Sequence, residues 1–229
     1  IEIMGRHAGW LAGSAALATW AGCGPDLIYL PEVDFDLDQF IADVTAIYDK
    51  TGKCMVAVSE GIHYADGRFV SEAETSATDG FGHAQLGGLA VKLADLIKQR
   101  TGAKVRGIEL SLLQRCGAHL ASHTDVEEAK MAGRVAVESA VAGETDKMVA
   151  FQCTREGGKY TCEPVLQPLD IVANFEKKVP REWINAAGNG VEQPFIDYVL
   201  PLIQGEPDRP KENALPRFAK LKKVLTTDM

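Results

Sequence analysis

Residues that could bind an anion lie at the start of the chain, where a short apolar and polar alternation over 1–3 runs into Gly5. Small and apolar residues follow at helical spacing, so the pattern predicts a strand that ends at Met4, a tight turn at Gly5 and a helix that begins near residues 7–8. Such a corner exposes backbone N–H groups at the positive end of a helix dipole, and the planar guanidinium of Arg6 suits a phosphate. Taken alone, these residues favour a simple turn and a solvated arginine, because short glycine motifs recur by chance.

Two further segments carry residues that a sugar phosphate would need, namely cations for the phosphate and a carboxylate for the hydroxyl groups. Glu60 follows an apolar run of strand length, Cys54–Ser59, and Arg115 follows a predicted strand over 104–110 in a compact Leu-Gln-Arg turn. Arg106 lies within that second strand. Simpler roles stay open: a helix cap or surface acid for Glu60, a surface ion pair for Arg115 and a solvated strand position for Arg106.

The elements around these residues predict a parallel sheet. A buried strand over 26–30, an amphipathic helix around 40–48 and the strand over 54–59 have the spacing of a β-α-β unit. Ligands of parallel sheets bind beyond the carboxyl ends of the strands. Met4-Gly5-Arg6 and Glu60 both follow such ends, so we expect them to lie together.

Periodicity, capping patterns and turn residues predict the remaining elements. Cys153 and Cys162 are expected to face each other across a hairpin. The elements are a helix end at Gly52, a long polar loop over about 63–85, a helix over 86–96 that ends at Gly102, a helix from a Thr124–Glu127 capping box to Ala142-Gly143, a strand over 147–153, a turn at Gly157-Gly158 and a short helix near 195–203.

Composition indicates an ordinary soluble globular protein of 229 residues, 46% hydrophobic and 24% charged. A net charge of -8 without a basic cluster argues against nucleic-acid and membrane-surface partners, and no apolar run has the length of a membrane span. The five cysteines follow no metal-ligand spacing, so we expect free thiols and no metal site in this chain. The chain opens without a signal-peptide pattern, which favours the cytoplasm.

Three motifs follow one another along the chain: Met-Gly-Arg-x-Ala-Gly-Trp-Leu-Ala over 4–12, the strand over 55–61 that ends on Glu60-Gly61, and Leu113-Gln114-Arg115. Together they resemble the phosphofructokinase family, especially its pyrophosphate-dependent branch. The first is similar to the family's fructose 6-phosphate segment, the second to a strand that ends on a sugar-binding glutamate, and the third to its Gln-Arg motif. The resemblance extends from Ile1 to about Val224.

The resemblance implies a role for each of these motifs. Met4 would pack against the sugar, and the backbone of Gly5 would approach it closely. Arg6 would face the transferred phosphoryl group and stabilise its developing charge, which makes it the one catalytic residue expected in this chain. Glu60 would bind sugar hydroxyl groups, and Arg115 would hold the sugar phosphate.

Three positions near the Gln-Arg motif bear on affinity. Arg106 is similar to a second phosphate-binding arginine of the bacterial ATP-dependent members. The family usually has His or Tyr where this chain has Leu112, and often Gly where it has Ser111. The missing donor at Leu112 leaves the affinity for the sugar phosphate, or the identity of the sugar, open.

The resemblance also implies an α/β, parallel-sheet, three-layer fold that is incomplete because the N-terminal half is absent. The expected domains are a fructose 6-phosphate-binding domain over 1–118, a helix and strand over 119–164 that return to the donor-binding domain, and a C-terminal extension over 165–229. The family's glycine-rich donor loops and its Thr-Ile-Asp-x-Asp segment, which carries the catalytic aspartate, do not occur in this sequence. We therefore expect a C-terminal part that is inactive alone.

The implied reaction transfers a phosphoryl group from pyrophosphate or ATP to the 1-hydroxyl of fructose 6-phosphate, as in glycolysis. It implies Mg²⁺ with ligands mostly outside this chain, the missing N-terminal half as a partner, and a homo-oligomer, either a dimer or a tetramer. The alternative is a non-catalytic sugar-phosphate-binding or regulatory chain.

Overall fold

A parallel sheet forms the centre of the computed structural model, which describes residues 1–71 and 88–222. Its three strands lie in the order β1-β3-β2, and β3 pairs in parallel with both neighbours. The strands are β1 (Glu2–Ile3), β2 (Leu27–Tyr29) and β3 (Val56–Ser59). The predicted β-α-β unit and parallel sheet are confirmed.

Six α-helices occur among the described residues, and α1 continues as a 3₁₀ helix over Ala15–Ala21. They are α1 (Trp10–Ser14), α2 (Leu37–Thr51), α3 (Leu89–Thr101), α4 (Leu112–Arg115), α5 (His123–Val141) and α6 (Gln193–Val199). The carboxylate of Asp36 accepts a hydrogen bond from the N–H of Gln39 at 2.9 Å and begins α2. The helix ends at Thr51, and Gly52 follows it with a φ of +73°. The predicted helix end at Gly52 is confirmed.

Apolar side chains of the sheet divide between its two faces, as the alternation of a strand requires. Ile28 and Ala57 belong to a core shared with α1 and α6, where Phe195 is fully buried. Leu27 and Tyr29 belong to a second core, shared with α2 and α3. The two cores cover both faces of the sheet, so the described fold has the three layers and the α/β class that the sequence predicts.

The first helix begins later than predicted, at Trp10 and not near residues 7–8. Gly5 has a φ of +143°, and the side chains of Ser59 and Glu60 hold its backbone at the end of β3. The backbone of Arg6 packs against Gly61. These contacts keep the chain out of the helical conformation until Gly9.

The strand predicted over 104–110 is reduced to one bridge, in which Glu109 pairs in parallel with Glu2. The N–H of Glu2 donates to the carbonyl of Ile108 at 2.8 Å, and the N–H of Leu110 donates to the carbonyl of Glu2 at 3.3 Å. The prediction of a full strand is wrong because β1 offers only two residues for pairing.

The predicted Thr124–Glu127 capping box is also wrong. The hydroxyl of Ser122 accepts from the N–H of Asp125 at 3.1 Å, so the helix begins at His123. Ser122 caps the helix in place of Thr124 because its hydroxyl also donates to the carbonyl of Leu202. This bond fixes the chain in an extended conformation before the helix. The predicted end at Ala142-Gly143 is confirmed.

A helix–hairpin unit follows, in which α5 packs against an antiparallel hairpin of β4 (Lys147–Thr154) and β5 (Thr161–Pro168). The hairpin confirms the predicted strand and turn, and it places Cys153 opposite Cys162. All five cysteines are free thiols. The unit reaches the rest of the chain at Ser122 and through Arg155, which donates to the carbonyl of Tyr198 at 3.0 Å. The predicted domain boundaries at 118 and 164 stay a prediction.

The predicted loop over 63–85 lies only partly within the described residues, and residues 72–87 lie outside them. The described part is a turn that brings His63 opposite Phe69. The predicted helix over 86–96 corresponds to α3, which begins at Leu89 and ends before Gly102 as expected. A last small hairpin pairs β6 (Lys211–Glu212) with β7 (Leu215–Pro216).

Candidate functional site

The carboxyl ends of β1 and β3 meet at the turn that follows Ile3. The N–H of Gly5 donates to Oε1 of Glu60 at 3.2 Å, and the hydroxyl of Ser59 donates to the carbonyl of Gly5. The structure therefore brings Met4-Gly5-Arg6 and Glu60 together, as the strand ends predict. The sequence does not single out Ser59, since an apolar run gives no sign of which of its side chains bonds back to the turn after the neighbouring strand.

Arg6 is half-buried beside this turn, with its backbone against Gly61. Its Nε is buried and has no hydrogen-bond partner among the described residues. The buried Nε atoms of Arg155 and Arg209 also have no partner among the described residues, so this feature of Arg6 permits a phosphate oxygen to bind but does not by itself mark a site for one.

Arg115 reaches the same edge of the sheet through a tight turn. The chain reverses at Ser111, which has a φ of +43° and a ψ of -133°, and α4 follows directly. Oε1 of Gln114 accepts a hydrogen bond from the N–H of Met4 at 2.9 Å. This bond holds the turn next to the end of β1. Arg115 itself is exposed, and within residues 1–71 and 88–222 it makes no ion pair. Leu112, at the position usually held by His or Tyr, is 68% exposed.

Arg106 lies at the opposite end of the sheet. It precedes Glu109, which pairs in parallel with Glu2, so Arg106 lies toward the amino end of β1. There it lines a cavity of about 430 Å³ between α2, α3 and the segment 103–108, together with Lys53 and Lys104. Within one chain the structure does not bring Arg106 to the turn at Gly5, and its role as a phosphate ligand stays a prediction.

The start of α1 is already occupied by a carboxylate of this chain. Oε1 of Glu32 accepts from the N–H of Gly9 and from the N–H of Val179, both at 2.9 Å. At Gly9, the N–H group that precedes the helix is therefore bonded to a carboxylate of this chain. Glu32 follows β2, which ends at Tyr29, and no local pattern in the sequence shows the partners of its side chain.

Residues 176–177, from the C-terminal part of the chain, lie against the same turn. Nδ1 of His7 lies 2.5 Å from Oε1 of Glu176, and the ring of His7 stacks on Phe69 with centroids 6.4 Å apart. The indole N–H of Trp10 donates to the carbonyl of Lys177 at 2.7 Å. His7 therefore bonds to a residue 169 positions away in sequence, and it lies before α1, not within the first turn of the helix.

Neither a metal cluster nor a membrane span is found in the described part of the chain. Residues 1–71 and 88–222 contain no group of three or more His, Cys, Asp or Glu side chains arranged to hold a metal ion. No helix among them is long and apolar enough to cross a membrane.

Comparison with known proteins adds independent findings. A family model described as phosphofructokinase matches residues 1–140. The pyrophosphate–fructose 6-phosphate 1-phosphotransferase of Halomonas elongata is 45% identical over 225 residues, which cover 97% of this chain and 53% of that protein. Its counterpart from Methylococcus capsulatus is 43% identical over 222 residues, which cover 96% of this chain and 52% of that protein.

A solved structure shows the same arrangement of the chain. The pyrophosphate-dependent phosphofructokinase from Marinobacter aquaeolei superposes with a TM-score of 0.83 at 36% identity, covering 100% of this chain and 53% of that one. This chain thus spans about half the length of the relatives that it matches.

Proposed function

Because this chain belongs to the phosphofructokinase family, we propose that it supplies the fructose 6-phosphate site of a pyrophosphate-dependent phosphotransferase. The observation that carries the proposal is the meeting of three motifs at one edge of the sheet. Met4-Gly5-Arg6, Glu60 and the Gln114-Arg115 turn are joined there by the hydrogen bonds of Gly5 to Glu60 and of Met4 to Gln114.

The sugar binds across this edge. Glu60 uses one carboxylate oxygen on Gly5, which leaves the other oxygen to accept a hydrogen bond from a sugar hydroxyl. The exposed guanidinium of Arg115 holds the 6-phosphate in a bidentate pair. Met4 packs against the sugar ring, and Gly5 lets the backbone approach it because glycine carries no side chain.

Arg6 acts on the transferred group. Its Nε is buried beside the turn and has no partner among the described residues, so the guanidinium is available to face the phosphoryl group and stabilise the charge that develops during transfer. The aspartate that deprotonates the 1-hydroxyl, and the residues that bind the donor, lie outside this chain. Mg²⁺ enters the proposal through the family resemblance, with ligands mostly outside this chain, and we assign it no step here.

The partners of the proposed enzyme follow from the same resemblance. They are fructose 6-phosphate, pyrophosphate as the favoured donor with ATP as the alternative, the N-terminal half, and further copies in a dimer or tetramer. Arg106 lies away from the site of its own chain. Its predicted contact with the phosphate would therefore be made to the site of a neighbouring copy in an oligomer. We place the protein in the cytoplasm, in glycolysis.

The test combines binding with turnover. A thermal-shift titration of this chain with fructose 6-phosphate is expected to give a saturable rise in Tm that fructose and inorganic phosphate do not reproduce. The rise is expected to disappear in Arg115→Ala. Arg217→Ala, an exposed arginine of the C-terminal hairpin region, serves as the matched control and is expected to leave the rise unchanged.

Turnover is measured on the protein at its full encoded length, with pyrophosphate and ATP compared as donors. Transfer from pyrophosphate that is lost in Arg6→Ala supports the proposal, and transfer from ATP alone would overturn the choice of donor. Binding of fructose 6-phosphate without turnover from either donor would favour the non-catalytic sugar-phosphate-binding chain instead.

A further inference from the structure

Backbone groups pair with Glu2 in β1, but at Met4 the hydrogen bond is made by a side chain. The segment 108–110 first pairs with Glu2 by two ordinary backbone bonds, Glu2 N–H to Ile108 and Leu110 N–H to the carbonyl of Glu2. In a parallel ladder the next bond would run from the N–H of Met4 to the carbonyl of Leu110. That carbonyl instead accepts from the N–H of Leu113 at 2.9 Å, because the chain turns at Ser111.

The side chain of Gln114 replaces the missing bond. Its Oε1 accepts from the N–H of Met4 at 2.9 Å, across 110 residues of sequence. Because the partner is an N–H donor, the amide oxygen must face Met4 and the amide NH₂ must face away. Among the described residues that NH₂ has no hydrogen-bond partner, so the bond to Met4 is the contact that orients the side chain.

The other side of the same backbone is held in a similar way. The N–H of Gly5 donates to Glu60, and the carbonyl of Gly5 accepts from the hydroxyl of Ser59. Side chains from the end of β3 and from α4 therefore continue the pairing of β1 beyond its last residue, Ile3. Gln114 is the member of this set that joins the Met4-Gly5 backbone to the turn that carries Arg115.

We propose that Gln114 is a positioning residue that sets the distance between Arg115 and the Met4-Gly5-Arg6 turn. Arg115 lies at the C-terminal end of a four-residue helix and is exposed, so its own contacts do not fix its place. The bond from Gln114 to Met4 fixes the adjoining residue to β1. This inference rests on the proposed function for its effect on the sugar phosphate, while the bond itself is tested independently.

The first experiment measures hydrogen exchange of the Met4 amide in the protein at its full encoded length. Gln114→Met keeps the length of the side chain and removes the acceptor, and exchange at Met4 is expected to rise about 10-fold or more. Gln114→Glu keeps an acceptor oxygen and is expected to retain the protection. Gln193→Met is the control, because among the described residues the side chain of Gln193 bonds only to Asp197, on the same helix α6.

Three results would overturn the proposed bond. They are unchanged protection of Met4 in Gln114→Met, an equal loss in Gln193→Met, and an equal loss in Gln114→Glu. This measurement needs no turnover and no sugar. An unmodified protein without phosphotransferase activity would therefore count against the proposed function and leave the test of Gln114 intact.

The second experiment measures the effect on the sugar phosphate. Gln114→Met is expected to raise the KM for fructose 6-phosphate about 10-fold, with the KM for pyrophosphate unchanged, since misplacement of a binding group weakens its own ligand. Adding Arg115→Ala to Gln114→Met is expected to cost much less than Arg115→Ala alone, because the two residues act as a unit. Fully additive losses, or equal changes in both KM values, would overturn the positioning role.

Discussion

Gly61 lies directly against the backbone of Arg6: a Cβ atom at residue 61 would lie 1.6 Å from the carbonyl oxygen of Arg6. No carbon atom can occupy that position. The requirement for glycine here is therefore one of space, imposed by the close approach of the residues that follow β1 and β3.

We predict that Gly61→Ala separates these two strand ends. The added methyl group must displace the carbonyl of Arg6, which moves Arg6 and breaks the bond from Gly5 to Glu60. Overpacking of this kind typically costs about 1–3 kcal/mol of unfolding free energy. Denaturant unfolding and fructose 6-phosphate titration of the variant measure the two effects.

Gly133→Ala is the matched control for this substitution. Gly133 lies inside α5, and a Cβ atom there would meet nothing within 4 Å. The same change is expected to raise the unfolding free energy by about 0.5–1 kcal/mol, because alanine favours a helix over glycine. A Gly61→Ala protein with unaltered stability and sugar binding would contradict the close packing.

The core of this fold is predictable because its patterns are local. The apolar run before Glu60 and the amphipathic period of α2 depend on neighbouring residues, and both elements form as expected. The alternation over 1–3 gives a wrong expectation for the exposure of Glu2. It favours a half-exposed strand, yet Glu2 is buried, because α3 covers it and its carboxylate accepts from the N–H of Ala90 at 2.9 Å.

The candidate site is predictable only in part, for the same reason. Strand ends place Gly5 beside Glu60, since parallel strands share one edge for their carboxyl ends. The partners of Gln114 and Glu32 lie 110 and 147 residues away in sequence, counting the bonds to Met4 and Val179. No local pattern marks such contacts.

Ser111 occupies a conformation that favours glycine, the residue often found at this position in the family. Its φ of +43° and ψ of -133° correspond to the first central position of a type II′ turn. Ser111→Gly is expected to raise the unfolding free energy by about 1 kcal/mol, because the strain of the side chain is removed. Urea unfolding of both proteins measures the difference.

Ser139→Gly provides a control of opposite sign. Ser139 lies within α5, in ordinary helical conformation, where glycine is expected to lower the unfolding free energy by about 0.5 kcal/mol. Equal and negative effects at both positions would show that Ser111 carries no strain.

Glu32→Ala is expected to lower the unfolding free energy by about 2 kcal/mol or more. The substitution leaves the N–H groups of Gly9 and Val179 without their acceptor, and an unpaired buried donor costs about 1–3 kcal/mol. Tryptophan fluorescence follows the unfolding, because Trp10 begins the helix that Glu32 caps. Glu192→Ala, an exposed residue whose side chain makes no cap bond, is expected to change stability by less than about 0.5 kcal/mol.

The thiols are expected to differ in reactivity toward an alkylating reagent. Burial raises the pKa of Cys162 to about 12 and that of Cys54 to about 11, so neither forms much thiolate at pH 8. Cys23 and Cys116 are exposed and should be alkylated first. Mass spectrometry of the native protein after brief treatment with iodoacetamide gives the order, and early modification of Cys162 would contradict it.

Glu2 makes stability depend on pH. Burial raises the pKa of its carboxyl group above the ordinary value of about 4.3, against the opposing hydrogen bond from the N–H of Ala90. A raised pKa in the folded state means that the folded protein binds more protons, so its stability falls as pH rises from about 4.3 through the raised value. Glu2→Gln keeps an acceptor for Ala90 without a charge, and its advantage in Tm over the unmodified protein is expected to grow across that pH range.

Glu109→Gln separates the electrostatic part of this effect from burial. The carboxylate of Glu109 raises the pKa of Glu2 further, so its removal is expected to lessen the loss of stability with rising pH without abolishing it. Tm is measured from pH 4 to pH 8 for the unmodified protein and both variants. Parallel curves for Glu2→Gln and the unmodified protein would show that the carboxyl group of Glu2 titrates alike in the folded and unfolded chains, which would contradict its burial beneath α3.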